Sequence, residues 1–352
     1  MSFDWLENPI KKSDQAIFKQ ASDHQNQLTK PPGSLGKLET LAIRLAVMQG
    51  RVDPEINKIN ITVFAADHGI AEEGVSAFPQ SVTLDMIRNF SAGGAAICLI
   101  AKQLGARLDV MNLGTVEDAG DLPGVKSRRL GSGTANFSQT AAMTKEQLKS
   151  ALLIGQEVAI EAKKSATDLF IGGEMGIANT TSATAIACAI LDQKPNKLTG
   201  PGTGLDDEGI KHKINIIEQA LQHHSDKIND QPIETLRHFG GFEIAALVGA
   251  YVACGQQGLP VLIDGFITSV AALLACQIQP DLKDWLIFSH ASAEPGHQLI
   301  MEAMDAGPIL DLHMRLGEGS GAGVTVPLLR MACDLHNKMA TFADAGVAGK
   351  IR

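Results

Sequence analysis

Short, nearly unbroken apolar runs alternate along this chain with longer stretches in which apolar residues recur every three or four positions. The runs are Ile59–Ala66, Leu108–Leu113, Asp168–Ile171, Pro260–Ile263 and Trp285–Phe288. Near-continuous apolar runs of this length predict strands buried on both faces, the habit of parallel sheets. Between them, Thr144 and Gln147 spell a capping box ahead of a helix reaching about Lys164. Asp206 and Asp207 precede a second helix that runs to about His224, and Ala183–Leu191 forms a third, apolar one. The alternation predicts an α/β fold with an open, mostly parallel, doubly wound sheet.

Each predicted strand is followed at once by Gly or polar chemistry: Asp67-His68-Gly69, Gly114-Thr115, Gly172-Gly173-Glu174, Asp264-Gly265 and Ser289-His290. Ligands of open α/β sheets bind outside the carboxyl ends of the strands, so these five loops are expected to converge on one crevice. The chain ends follow another pattern. Residues 13–28 are helical and polar-rich, with Ile17, Ala21 and Leu28 on one face, until Pro31-Pro32-Gly33 breaks the helix. Near the other end Leu328, Ala332, Leu335, Met339 and Phe342 keep a 4-3-4-3 spacing, an amphipathic helix with no strand after it. Both stripes need a partner face, from each other or from a second subunit.

Composition narrows the class. With 352 residues, 45% hydrophobic and 20% charged, the chain can bury a large core and suits one large domain with an appendage. A net charge of −9 with no Lys/Arg block argues against nucleic acid, and 4% aromatics with tryptophan only at Trp5 and Trp285 against stacking platforms. The five cysteines, Cys98, Cys188, Cys254, Cys276 and Cys333, are odd in number, contain no CxxC and sit in apolar contexts. They read as buried thiols in a reducing compartment. The N-terminus has early acids and no apolar core of a signal peptide. The apolar stretch 261–276 is too short and too interrupted to span a bilayer. A cytoplasmic protein without membrane partners is expected.

Three glycine-rich segments carry candidate chemistry. Gly172–Ser182 links a strand to a helix, and such a turn exposes backbone N–H groups and a helix dipole to an anion, although ordinary capping has the same spelling. Gly200-Pro201-Gly202-Thr203-Gly204 opens a helix carrying Lys211 and Lys213, which suits a phosphate monoester, or leaves two solvated lysines. No GxxxxGK[ST] sequence is present. Leu316-Gly317-Glu318-Gly319-Ser320-Gly321-Ala322-Gly323 sets one carboxylate among glycines ahead of an apolar helix, which is how a general base can face a substrate unobstructed. Its GxGxxA spelling lacks a leading strand and is no dinucleotide fingerprint. Val261–Ser269 has Gly265 where a pyrophosphate loop would carry a second acid. His290, Glu294 and His297 are not spaced as HExxH, and Pro295-Gly296 interrupts the helix that motif needs, so loop hydrogen bonding is the reading there rather than a metal site.

Taken jointly, Lys30-Pro31-Pro32-Gly33-Ser34-Leu35-Gly36, Ala66-Asp67-His68-Gly69, Val75-Ser76-Ala77-Phe78-Pro79, Gly93-Gly94-Ala95-Ala96-Ile97, Gly173–Thr181, Gly202-Thr203-Gly204 and Leu316–Ala322 resemble the nicotinate-nucleotide:dimethylbenzimidazole phosphoribosyltransferases of cobalamin nucleotide-loop assembly. The matches run in one order over nearly the whole chain, with Ser320 where the family usually has Thr. The resemblance implies a Rossmann-like sheet in a large catalytic domain, residues 29–325, and a small helical domain from residues 1–28 plus 326–352. It also implies a homodimer and no cofactor. By motif, Glu318 would be the general base, and Gly176, Gly202, Thr203 and Lys213 would surround the phosphate. Glu174, Asp264 and Ser292 would lie near the ribose or departing base, and Ser81, Met86 and Leu316 would wall the benzimidazole. Two other functions fit parts of the pattern: a nucleotide-binding sensor without turnover, and a metal-dependent nucleotide hydrolase using His290, Glu294 and His297.

Overall fold

The computed structural model describes residues 3–228 and 231–348. Six strands, β1 (Ile59–Ala66), β2 (Arg107–Gly114), β3 (Val125–Ser127), β4 (Leu169–Met175), β5 (Val261–Ile263) and β6 (Leu286–Phe288), form one sheet in the order β3-β2-β1-β4-β5-β6. Every neighbouring pair is parallel. This is the doubly wound order, with its reversal between β1 and β4. All eight residues of β1 are buried, as a central strand covered on both faces must be.

The five expected strands are present. The edge strand β3 was not legible, because its three residues include the exposed Lys126 and Ser127. β4 runs further than its apolar run and includes Gly172-Gly173-Glu174. Side chains at the two glycines would collide with Leu247 and with the backbone of Glu318.

The helices are α1 (Gln15–Gln27), α2 (Lys37–Gln49), α3 (Val82–Ala92), α4 (Ala96–Leu104), α5 (Lys145–Lys164), α6 (Asn179–Leu191), α7 (Pro195–Leu198) and α8 (Asp207–Ile228). After them come α9 (Pro232–Phe239), α10 (Phe242–Gln257), α11 (Phe266–Ile278), α12 (Gly296–Ala303), α13 (Ser320–Lys338) and α14 (Phe342–Ala345). The Thr144/Gln147 capping box opens α5, and Asp206 accepts the Gly209 N–H at the start of α8. α6 begins four residues before its apolar run. The apolar stretch 82–104 is two helices of 11 and 9 residues parted at Gly93, each too short to cross a bilayer. All five cysteines are free, Cys188, Cys254 and Cys333 buried and Cys98 and Cys276 partly exposed.

The two ends meet. Leu28 pairs with Thr341 in an isolated bridge, and His24 and Gln25 hydrogen-bond His336 at 2.7 and 2.8 Å. Residues 4–11 instead lie against the large body, where Trp285 donates its indole N–H to Lys11 O and Gln279 bonds Leu6 O. The buried stripe of α13 is Ala322, Val326, Leu329, Ala332, Cys333 and His336, one position away from the Leu328/Leu335 stripe read from the sequence. Its phase is set at its first turn, where Gly321 packs on His290 and Gly323 on Ile100, so the small residues rather than the leucines choose the face.

Candidate active site

A crevice of about 500 Å³ opens at the carboxyl ends of β4, β5 and β6. Glu174–Ile177, Asn179 and Thr180 supply the wall from β4 and the start of α6. Gly202 and Thr203 face it from the next loop, and Asp264–Thr268 from the β5–α11 turn. His290, Ser292 and Glu294 follow β6, and Arg315–Gly317 close the side ahead of α13. Of the expected site residues, Glu174, Gly176, Gly202, Thr203, Asp264, Ser292 and Leu316 therefore share one cavity.

Lys213 lies directly behind that wall. It is 1% exposed, and its ammonium donates to Thr180 Oγ1 at 2.8 Å. A side chain at Gly202, whose φ is +54°, would come 2.8 Å from the Thr180 hydroxyl and 3.4 Å from Lys213 Nζ. Burial lowers the Lys213 pKa to about 8, although the Glu294 charge opposes this. Lys211 points to solvent. Thr181 and Ser182 turn into the core, where Ser182 Oγ meets His68 Nδ1 at 2.9 Å, so only Thr180 of the three hydroxyls reaches the crevice.

Glu318 adjoins the crevice through Gly317 but is not one of its lining residues. It is 4% exposed, and its Oε2 accepts the Ile97 N–H at 3.3 Å, at the N-terminus of α4. Gly317, Glu318 and Gly319 all have positive φ, with Glu318 at +65°. A left-handed conformation costs a glutamate of order 1 kcal/mol, and such strain persists where the surroundings fix it. Burial and the Asp264 charge raise the Glu318 pKa, against the lowering effect of the Ile97 N–H. Ser81 and Met86 stand off this cavity, Ser81 exposed ahead of α3 and Met86 half-buried within it. α3 reaches the site through Thr83, whose Oγ1 accepts the Ile177 N–H at 3.0 Å.

Three of the five strand-end loops converge and two do not. The segment after β2 folds back over the ends of β1 and β2. Thr134 N–H bonds Asp67 O, Asp67 Oδ2 takes the Val116 N–H at 2.8 Å, and His68 Nε2 lies 2.5 Å from Glu243 Oε1 in the core. Asp67-His68 and Gly114-Thr115 thus support the site from beneath.

Carboxylates crowd the centre. Glu174 is wholly buried. Desolvation, followed by the charges of Glu243 and Asp264, raises its pKa to about 8, against a hydrogen bond from the Asn179 amide. Asp264, also raised by burial, accepts the Ala322 N–H at 2.7 Å and those of Gly321 and Gly319, capping α13. Glu294 is raised by burial and lowered by Lys213 and Arg315. His297, considered above beside a metal, accepts the Ser292 N–H on Nδ1 at 3.1 Å and meets Ser269 Oγ through Nε2 at 3.2 Å. Burial lowers its pKa to about 4. Sequence reasoning missed Asn179, the α11 first turn and Arg315, whose Nη1 donates to Gly202 O at 3.1 Å. The one available signal for Arg315 was a cation directly before Leu316-Gly317.

The arrangement can hold an anion between Thr180, Gly202, Thr203, Lys213 and Arg315, and positive charge among the carboxylates. A phosphoribosyltransferase family model matches residues 10–347. A nicotinate-nucleotide–dimethylbenzimidazole phosphoribosyltransferase of Pseudomonas fluorescens strain SBW25 is 53% identical over 350 residues, 99% of each chain. The Xanthomonas euvesicatoria pv. vesicatoria protein of the same name is 54% identical over 348 residues, again 99% of each. The crystal structure of the protein so named from Thermus thermophilus superposes with a TM-score of 0.90 at 42% identity, covering 96% of this chain and 100% of that one. On this full-length agreement of sequence and fold, the chain belongs to the nicotinate-nucleotide–dimethylbenzimidazole phosphoribosyltransferase family.

Proposed function

We propose that the crevice transfers phosphoribose from nicotinate mononucleotide to 5,6-dimethylbenzimidazole, giving α-ribazole 5′-phosphate and nicotinate in cobalamin biosynthesis. The observation that carries the reading is a glycine-framed buried carboxylate, Glu318, beside a crevice whose far side holds a buried ammonium under a helix N-terminus. The donor phosphate sits against Gly176, Gly202, Thr203 and Lys213, with Thr180 and Arg315 completing the anion pocket. Glu174, Asp264 and Ser292 face the ribose and the departing base. The benzimidazole enters beside Leu316, with one ring nitrogen toward C1′ and its N–H toward Glu318, while Ser81 and Met86, which stand off the crevice, are proposed only as its outer wall.

As the nitrogen lone pair bonds C1′ from the face opposite nicotinate, the C1′–N bond to the pyridinium breaks. Its electron pair returns to the nicotinate ring, and the acceptor's N–H proton passes to Glu318. Backside attack inverts β to α. A general base of this kind contributes about 10²–10⁴-fold, and the raised pKa of Glu318 brings it nearer neutral pH, where a base is most effective. The leaving group is already cationic and departs without an added proton.

The deciding experiment incubates the purified protein with both substrates and follows nicotinate release and the α-linked product. Donor binding without release would favour a nucleotide sensor, and product-free hydrolysis abolished by chelator would favour a metal-dependent hydrolase. We further propose a cytoplasmic homodimer. The exposed Leu99, Val324 and Met331 lie on α4 and α13, which pack together through Ile100 and Gly323, and offer an apolar face to a second copy. The contacts of Leu28 with Thr341 and of His24 with His336 support a small helical unit built from both chain ends, within the proposed 1–28 plus 326–352 division.

A further inference from the structure

We propose that Glu243, His68 and Ser182 form a buried chain that positions the turn Gly176–Thr180 against the donor phosphate. It rests on the proposed reaction, in which that turn meets the phosphate. None of the three side chains lines the crevice, so they are positioning residues. They act by fixing the rotation of α6, whose first turn carries Thr180.

The contacts run in one line. Glu243, in the first turn of α10, places Oε1 2.5 Å from His68 Nε2, and His68 Nδ1 lies 2.9 Å from Ser182 Oγ in α6, all three side chains being buried. An ionised carboxylate only accepts, so Nε2 carries the proton. Nδ1 then accepts the Ser182 hydroxyl in a neutral ring and donates to its oxygen in an imidazolium, and the chain closes in both states. Glycines seat the ring on two sides. A Cβ at Gly241 would collide with His68 and Glu243, and one at Gly176 would stand 2.5 Å from Ala66 O and 3.2 Å from the His68 ring. The crevice turn therefore rests directly on the imidazole.

Helical geometry carries the effect to the ligand side. α6 starts without an ordinary cap, because Ala178 stands at its N-cap with a φ of +74° and has no side-chain acceptor. Its phase must be set from elsewhere. Residues two apart on a helix point about 200° apart. Pinning Ser182 to His68 beneath the sheet end therefore turns Thr180 toward the crevice, where its hydroxyl receives Lys213 at 2.8 Å. Asn179, on the same turn, reaches Glu174. The other oxygen of Glu243 has no partner among the described residues, so its hydrogen bonding is committed to the ring. The trio spells a Ser–His–Glu hydrolase constellation, yet Ser182 is sealed off from the crevice and can meet no substrate carbonyl. What the chain can do is hold one helix at one rotation.

The test measures, by calorimetry, the binding of nicotinate mononucleotide and of nicotinate riboside, which lacks the phosphate. The proteins are the wild type, Ser182→Ala, Glu243→Met and Glu243→Gln, with melting curves and steady-state rates beside them. Ser182→Ala and Glu243→Met should each lower the preference for the nucleotide about 10-fold, the loss of one hydrogen bond to a charged group, with riboside binding little changed. In the rates the loss should fall on the nucleotide KM more than on kcat. Glu243→Gln keeps an acceptor for the Nε2 proton and should keep the preference. Equal losses with both ligands, or an unchanged preference in a folded Ser182→Ala, would overturn the chain's role, and Ser182→Ala decides alone if Glu243→Met does not fold. A wild type that prefers the nucleotide yet transfers nothing would overturn the proposed reaction, while the binding preferences would still decide the chain.

Discussion

Replacing Glu318 by Gln separates the carboxylate's chemistry from its place in the fold. Gln keeps the length, and its carbonyl oxygen can still accept the Ile97 N–H that Glu318 Oε2 takes at 3.3 Å. It adopts the same φ of +65° at a similar conformational cost. The folded-state pKa of Glu318 is raised, so its charged form is disfavoured on folding. The group contributes no net stability at neutral pH, and as pH rises through its unfolded value it works against the fold. Removing the charge should therefore leave the thermal midpoint unchanged or slightly higher. Catalysis should suffer instead, because the acceptor's proton has nowhere to go. Loss of a general base costs at least about 10²-fold in kcat, or about 2.7 kcal/mol of barrier, while the donor KM stays within a small factor. The assay is steady-state nicotinate release with each substrate varied in turn, beside a melting curve. The acidic limb of the wild-type pH profile should also lie above the ordinary glutamate range and vanish in the variant. Near-wild-type kcat in Glu318→Gln would refute the reasoning, and a larger loss in Glu174→Gln would assign the base to the other carboxylate.

Lys213→Met should raise the donor KM about 10-fold or more with a smaller effect on kcat, and in the wild type donor binding should weaken as pH climbs through about 8 and the buried ammonium loses its proton, both read from initial rates. Gly202→Ala should also raise the donor KM, because the added methyl meets Thr180 Oγ1 and strains a φ of +54°, and an unchanged KM would detach this loop from the phosphate. If the proposed homodimer forms, Met331→Glu should shift it toward monomer in light scattering; an unchanged dimer mass would remove this face from the contact, and a monomeric wild type would remove the dimer. His238, whose pKa burial lowers to about 4, is kept neutral on folding, so its contribution is present above the unfolded value near 6.5 and lost as pH falls toward 4. The urea midpoint should drop over that interval, and less steeply in His238→Gln.

The central strands were legible because a strand covered on both faces needs a mostly apolar, β-branched run, and few other structures do. β3 escaped because an edge strand bound on one side needs only backbone, and its Lys126 and Ser127 look like any loop. The phase of α13 was misread for a related reason. Leucine spacing reports which faces are apolar, whereas the helix is anchored by Gly321 and Gly323 closing on His290 and Ile100, contacts that small residues make without an apolar signature. In the site, glycine-framed segments stood out because close approach leaves a mark in composition. Asn179, Arg315 and the open start of α11 left none, since their roles come from where three strand ends bring them. The Asp67-His68 motif was visible but misplaced, because nothing local says that the segment around Thr134 will fold over it.

The crowding of acids has a physical logic that the proposed reaction explains. Burial raises Glu174, Asp264, Glu294 and Glu318, neighbouring acids add to it at Glu174 and Glu318, and a protein holding four buried acids with no cationic ligand to receive would bear that strain without return. Each is held by a different device: an amide from Asn179, the N–H groups of α13, the charges of Lys213 and Arg315, and the N–H of Ile97. The donor enters as a pyridinium glycoside, and its anomeric carbon gains positive charge as the bond to nicotinate lengthens. The acids that stay ionised, and Glu174 once the donor's charge draws off its proton, stabilise that charge from positions fixed before the ligand arrives. The donor's phosphate then belongs at the margin, in the pocket of Thr180, Gly202 and Lys213. Binding it there holds the ribose over the acidic centre, with one face turned to Glu318.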